Sequence, residues 1–185
     1  VRVGTIVNKL ALANPTENAK ELIKNIKAAY QKDIAIVVTP ELSLTGYTCA
    51  DLFLQDKLIK DSLKGLEEIL KATKTLDIIA IIGMPLATNS TLYNTAVVIN
   101  KGKILGIVPK SYIPNYNEFY EDRWFSSSFN LKENYLDLLG QIVPFGTNLL
   151  FQDENTKEIT FAIEICEDLW SVVPPSSNYA LNGAT

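Results

Sequence analysis

The chain has 185 residues, of which 47% are apolar and 21% charged; its net charge is −4 and it contains no histidine. That is enough apolar material for one globular unit with a core. The acidic balance, with no basic stretch interleaved with aromatics, argues against a nucleic-acid partner.

In chain order, Arg2 to Val7 reads as a short strand. Asn14-Pro15-Thr16 supplies helix-start chemistry, and Ala19, Leu22, Ile23, Ile26 and Ala29 recur at helical spacing. Ile34 to Val38 is an apolar run of strand length that ends at Thr39-Pro40 and is followed at once by Glu41. A second helix is expected over Lys57 to Lys74, with Leu58, Leu63, Leu66, Ile69 and Leu70 as its buried stripe. Ile78 to Gly83 reads as another buried strand. Thr95 to Ile99 and Lys103 to Val108 flank Asn100-Lys101-Gly102, a hairpin signal. Pro114 to about Gly146 reads as a long irregular excursion. Leu149 to Phe151 and Ile159 to Ile165 suggest a second hairpin around Asn155-Thr156-Lys157. The tail from Tyr179 reads as a helix ending at Asn182-Gly183. Strand, helix, strand, helix and then several strands predict an α/β layered domain.

The longest apolar stretch, near Ile78 to Leu86, falls far short of a bilayer span, so no membrane partner is expected. Arg2 leads into a strand-like run and not into the long apolar segment of a signal peptide. Cys49 and Cys166 sit in unlike contexts, which argues against a disulfide framework and for a reducing cytoplasm. With two distant cysteines and no histidine, no metal site is expected. The chain begins at Val1 without a methionine, and its tail reads as leading into a further strand. A piece of a longer protein is the expectation.

Glu41, Lys110 and Cys166 each stand directly after an apolar, strand-like run. Residues in that position collect along one edge of the sheet in a layered α/β domain, where loops form clefts. A thiol nucleophile usually borrows an imidazole as its base. Here the base must be a carboxylate, a lysine or a tyrosine. Each residue also has a plainer reading. Cys166 could pack as a small hydrophobe, Glu41 could be a helix-start carboxylate, and Lys110 a solvated strand-end charge.

Three segments carry a resemblance. Thr39-Pro-Glu-Leu-Ser-Leu-Thr-Gly-Tyr47, Asn94 through Lys110, and Ala162-Ile-Glu-Ile-Cys-Glu-Asp-Leu-Trp170 resemble the signature regions of the nitrilase superfamily of carbon–nitrogen hydrolases. Cys49-Ala-Asp-Leu-Phe53, Lys110 through Glu121, and Ile165 through Ser176 are similar, more narrowly, to the glutaminase domain of the glutamine-dependent NAD synthetase family. The resemblance runs from about Val1 to Thr185. It implies a nitrilase-like α-β-β-α sandwich, incomplete at the C-terminus, with residues 1–185 as the N-terminal part of the glutaminase domain.

The resemblance also implies a catalytic triad of Glu41, Lys110 and Cys166 that cleaves the side-chain amide of glutamine, with the backbone N–H of Glu167 at the oxyanion. Glu118 is implied as a second glutamate that positions the lysine and substrate. Tyr47, Tyr116, Phe119 and Glu167 are implied as substrate contacts, with Asp168 and Trp170 as scaffold. No cofactor is implied for this domain. ATP and magnesium belong to a C-terminal synthetase domain that is absent from this chain, and the full-length relatives are homo-oligomers. The alternatives are a stand-alone amidase or carbamoylase of the same family, which the Tyr- and Asn-rich loop after Lys110 disfavours, and a non-catalytic module of the same fold, which the three filled triad positions disfavour.

Overall fold

The computed structural model describes residues 1–89, 91–154 and 158–185. The Asn155-Thr156-Lys157 turn expected from sequence lies outside the described residues. A five-stranded sheet in the order β1-β2-β3-β4-β5 organises the rest. β1 (Val3–Thr5), β2 (Ile36–Val38) and β3 (Ile79–Thr88) run parallel, while β4 (Thr91–Asn100) and β5 (Lys103–Pro109) complete the sheet as antiparallel hairpins.

The parallel strands need crossovers, and two helices provide them. α1 (Pro15–Tyr30) begins where Asn14 accepts a hydrogen bond from the backbone N–H of Glu17 through its side-chain oxygen, with proline in the first turn. It buries Ala19, Leu22, Ile26 and Ala29. α2 (Asp56–Thr73) buries Leu58, Leu66, Ile69 and Leu70 along one stripe. Both helices cover one face of the sheet, against Val37, Ala80, Ile82, Met84, Val97 and Ile99. The neighbouring residues Ile36, Ile81, Ala96 and Val98 point to the other face, as the twofold alternation of a strand requires. There they meet Phe151, Phe161, Ile163 and Ile165. Phe151 and Phe161 belong to β8 (Phe151–Gln152) and β9 (Thr160–Phe161), a short antiparallel pair whose rings stack at 5.2 Å. The architecture is thus helix, sheet, sheet in successive layers, the mixed α/β class expected from the sequence.

The structure departs from the sequence reading in three places. β3 and β4 extend to Thr88 and back to Thr91, well beyond the expected ends at Gly83 and Thr95. Between Pro114 and Gly146 the chain is more ordered than its composition suggests. It forms 3-10 turns at Glu121–Arg123 and Ser128–Asn130, and a hairpin of β6 (Tyr135–Leu138) with β7 (Gln141–Pro144). β9 ends at Phe161, so Ile163 and Ile165 reach the core from a connecting segment. A 3-10 turn, Cys166–Trp170, and α3 (Pro175–Leu181) follow. Gly102 sits at φ +74° in the tight turn between β4 and β5, as the hairpin signal requires. Among the described residues no helix is long and apolar enough to cross a membrane.

Candidate active site

The site lies where β2 and β5 end. β2 stops at Val38, and Thr39 and Ser43 fold the next turn onto β3: their hydroxyls are 2.8 Å apart, the N–H of Gly83 donates to Thr39 Oγ1, and Ser43 Oγ donates to the carbonyl of Gly83. The turn passes so close that a β-carbon on Gly83 would stand 2.3 Å from the Pro40 oxygen and 2.6 Å from the Leu42 nitrogen. Glycine at 83 therefore lets Glu41 approach the sheet edge.

Lys110 follows directly on β5, its N–H donating to the Asn94 carbonyl at 2.9 Å. Its side chain is fully buried, yet it carries an ammonium. Lys110 Nζ donates to Glu41 Oε1 at 2.7 Å and to Glu121 Oε1 and Oε2 at 2.8 and 3.0 Å. Burial alone would lower the Lys110 pKa, but the two carboxylate charges and their hydrogen bonds reverse this and raise it. Burial pushes the Glu121 carboxyl up, against the opposing charge of Lys110. Asn94 Nδ2 donates to Glu41 Oε1 at 2.6 Å, so that oxygen takes two donors and Oε2 stays available for another.

Cys166 opens its 3-10 turn at φ +48°, a left-handed conformation that a residue with a side chain seldom adopts. Strain of this kind collects at functional sites. Desolvation on the side facing the cluster raises the thiol pKa, Glu41 and Glu121 raise it further, and Lys110 opposes them. Cys166 is nonetheless solvent-exposed, whereas Cys49 is buried against Leu42 and Phe53. An accessible thiol beside an amine and two carboxylates is equipped for nucleophilic attack on an acyl carbon.

The other expected residues divide into two groups. The Tyr116 hydroxyl lies 2.9 Å from both carboxylate oxygens of Glu167, and Phe119 packs edge-on against the Tyr116 ring at 5.8 Å. These three form a polar–aromatic cluster, and Glu167 directly follows Cys166 in the chain. Tyr47 lies deeper, donating its hydroxyl to Glu121 Oε1 at 2.7 Å, with its phenol pKa raised chiefly by burial.

Glu118 requires a correction. It is exposed, and the second carboxylate on Lys110 belongs to Glu121, which is buried. The N–H of Glu121 donates to the Pro114 carbonyl, so the loop turns back and points this glutamate inwards. Asn94 and Asp168 were not singled out as site residues from sequence either. Both lie inside the signature-like segments, which was the only signal available. Among the described residues no group of His, Cys, Asp and Glu could hold a metal ion.

Comparison with known proteins finds relatives along the whole chain. The carbon-nitrogen hydrolase family profile matches residues 5–184. The glutamine-dependent NAD(+) synthetases of Mycobacterium bovis and Mycobacterium leprae are each 37% identical to the chain over its whole length, and the match covers 27% of each relative. A crystal structure of a glutamine-dependent NAD(+) synthetase from Cytophaga hutchinsonii superposes with a TM-score of 0.80 at 28% identity, over 90% of this chain and 28% of that one. The chain thus spans little more than a quarter of the length of these relatives.

Proposed function

The chain belongs to the carbon–nitrogen hydrolase family, and on that premise we propose that it hydrolyses the side-chain amide of glutamine within a glutamine-dependent NAD synthetase. What supports this reading is the ion pair of buried Lys110 with Glu41 at 2.7 Å, whose two charges both act on the exposed Cys166 thiol.

The Cys166 thiol gives its proton to Glu41 as its sulfur attacks the carboxamide carbon. Lys110 has three ammonium protons; one bond to Glu41 and a shared bond to Glu121 leave one for the oxyanion. It acts there with the N–H of Glu167, and one such donor is worth about 3–4 kcal/mol to the transition state. Glu41 returns the proton to the leaving nitrogen, the C–N bond breaks, and ammonia departs from a glutamyl thioester. Water then loses a proton to Glu41 and attacks the thioester carbon, the C–S bond breaks, and the sulfur regains its proton as glutamate leaves. Acid–base help of this kind contributes about 100- to 10,000-fold. The cluster of Tyr116, Phe119 and Glu167 would receive the amino-acid end of glutamine.

The released ammonia would serve a C-terminal synthetase domain of the same polypeptide, which uses ATP and magnesium to amidate nicotinic acid adenine dinucleotide. The full-length protein would be a cytoplasmic homo-oligomer. Cys166→Ala in that protein should abolish NAD synthesis from glutamine and leave synthesis from ammonium salts intact, assayed side by side. Equal loss with both nitrogen sources would refute the division of labour, and retained glutamine-driven synthesis would refute the nucleophile.

A further inference from the structure

Asp168 is buried, with 1% of its surface exposed, two residues beyond the cysteine. Its Oδ1 accepts the backbone N–H groups of Ser111 at 3.0 Å and Tyr112 at 2.8 Å, the two residues that directly follow Lys110. Its Oδ2 accepts the N–H of Ile165 at 3.0 Å, immediately before Cys166. The Asp168 N–H in turn donates to the Ile165 carbonyl at 3.0 Å. One carboxylate thus ties the segment carrying the amine to the segment carrying the thiol, although 57 positions separate Ser111 from Asp168.

A purely structural acid would not need this arrangement. Three N–H groups that strand ends leave unpaired could be satisfied by separate carbonyls or water. Gathering them on one side chain fixes the separation of two peptides whose side chains must meet. It also restrains the peptide entering Cys166, whose φ of +48° would relax if Ile165 were free. A neutral side chain would not serve equally well, because an amide at this position has one accepting oxygen and would turn a donor towards the other arm.

We propose that Asp168 is the positioning residue that holds the Cys166 thiol on its left-handed turn beside Lys110, by gathering backbone N–H groups from both segments. The proposal rests on the amidase reading only for its consequence in catalysis; the clamp itself is a statement about where the sulfur sits. The charged and titratable groups around that sulfur are Glu41 beyond β2, Lys110 beyond β5, Glu121 on its 3-10 turn, and the phenols of Tyr47 and Tyr116. On the far side Asp168 faces Tyr179 of α3, whose pKa is pushed up to about 12 by burial and then by the charges of Asp168 and Glu164.

The test is the rate of iodoacetamide alkylation of Cys166 against pH in the full-length protein, with Cys166 and Cys49 resolved by peptide mapping. In the unsubstituted protein the Cys166 midpoint should lie above the ordinary thiol value of about 8.5. With Asp168→Asn, which can satisfy only one arm, and with Asp168→Ala, which satisfies neither, the midpoint should fall towards 8.5 as the sulfur leaves its desolvated cluster. Glutamine-dependent kcat should drop about a hundredfold, with KM far less affected. Circular dichroism identifies the folded variants; if Asp168→Ala does not fold, Asp168→Asn decides. An unmoved midpoint in a folded variant would overturn the proposal. The titration requires no substrate, so failure of the amidase reading in the nitrogen-source assay would leave it standing.

Discussion

Lys110 is the residue on which the site's electrostatics turn. It is a fully buried ammonium between two carboxylates, and its proton is held more tightly in the folded chain than in the unfolded one. An unfolded lysine titrates near about 10.4. The stability from this proton is therefore complete below that pH and is lost as pH rises above it, through the raised folded value. The Tyr47 phenol, raised by burial and by Glu121, adds a dependence of the same sign above its ordinary value of about 10. Urea midpoints measured upwards from about pH 9 should decline in the native chain. The combined variant Lys110→Met/Tyr47→Phe should lose part of that slope, the remainder belonging to other raised groups, among them Tyr93, Tyr116, Tyr179 and the two thiols; an unchanged slope would show that the buried proton is not shared in this way. At neutral pH, Lys110→Met alone should cost about 3–5 kcal/mol, because it leaves the buried Glu121 and the partly buried Glu41 without their counter-ion.

Among the elements, the turn after β2 depends most on a single residue in another strand. Gly83→Ala would put a methyl group 2.3 Å from the Pro40 oxygen, so the Glu41 turn must lift off β3 or the strand must bend. The expected cost is about 1–3 kcal/mol of stability, seen as a lower thermal midpoint, together with loss of glutaminase activity as Glu41 leaves Lys110. Normal activity in that variant would mean that the close approach is dispensable. Glu41 and Lys110 were legible as neighbours because each follows a strand of one sheet; Cys166 was expected to end a strand as well, but β9 stops at Phe161 and a connecting segment carries the cysteine. The inward glutamate was not legible. Glu118 and Glu121 lie in one short stretch, and only the return of the loop to Pro114 selects between them. The length of β3 was hidden by Pro85, which reads as a breaker. β2 pairs with β3 only over Ile79–Ile81, so at Pro85 one side of the strand carries no ladder and a missing N–H is tolerated. The β6–β7 hairpin was hidden by its weak alternation, since only Leu138 and Val143 are buried.

At the scale of the molecule, the groups proposed for catalysis come from different layers. The first sheet presents Glu41 and Lys110 from its strand ends. The segment that packs Phe151, Phe161 and Ile165 on the opposite face carries Cys166, whose thiol feels the charges of both. In the proposed reaction the layered fold thus supplies what the missing histidine would otherwise have to: a base, a cation and a thiol carried by separate elements. The two cysteines allow a direct test, because one sits in this meeting place and the other in an apolar cluster. The decisive measurement is peptide mapping of the full-length protein after exposure to an electrophilic analogue of glutamine. A single adduct on Cys166, suppressed by excess glutamine and absent after Lys110→Met, is the result predicted. Labelling that falls equally on Cys49, or that glutamine fails to suppress, would contradict the account.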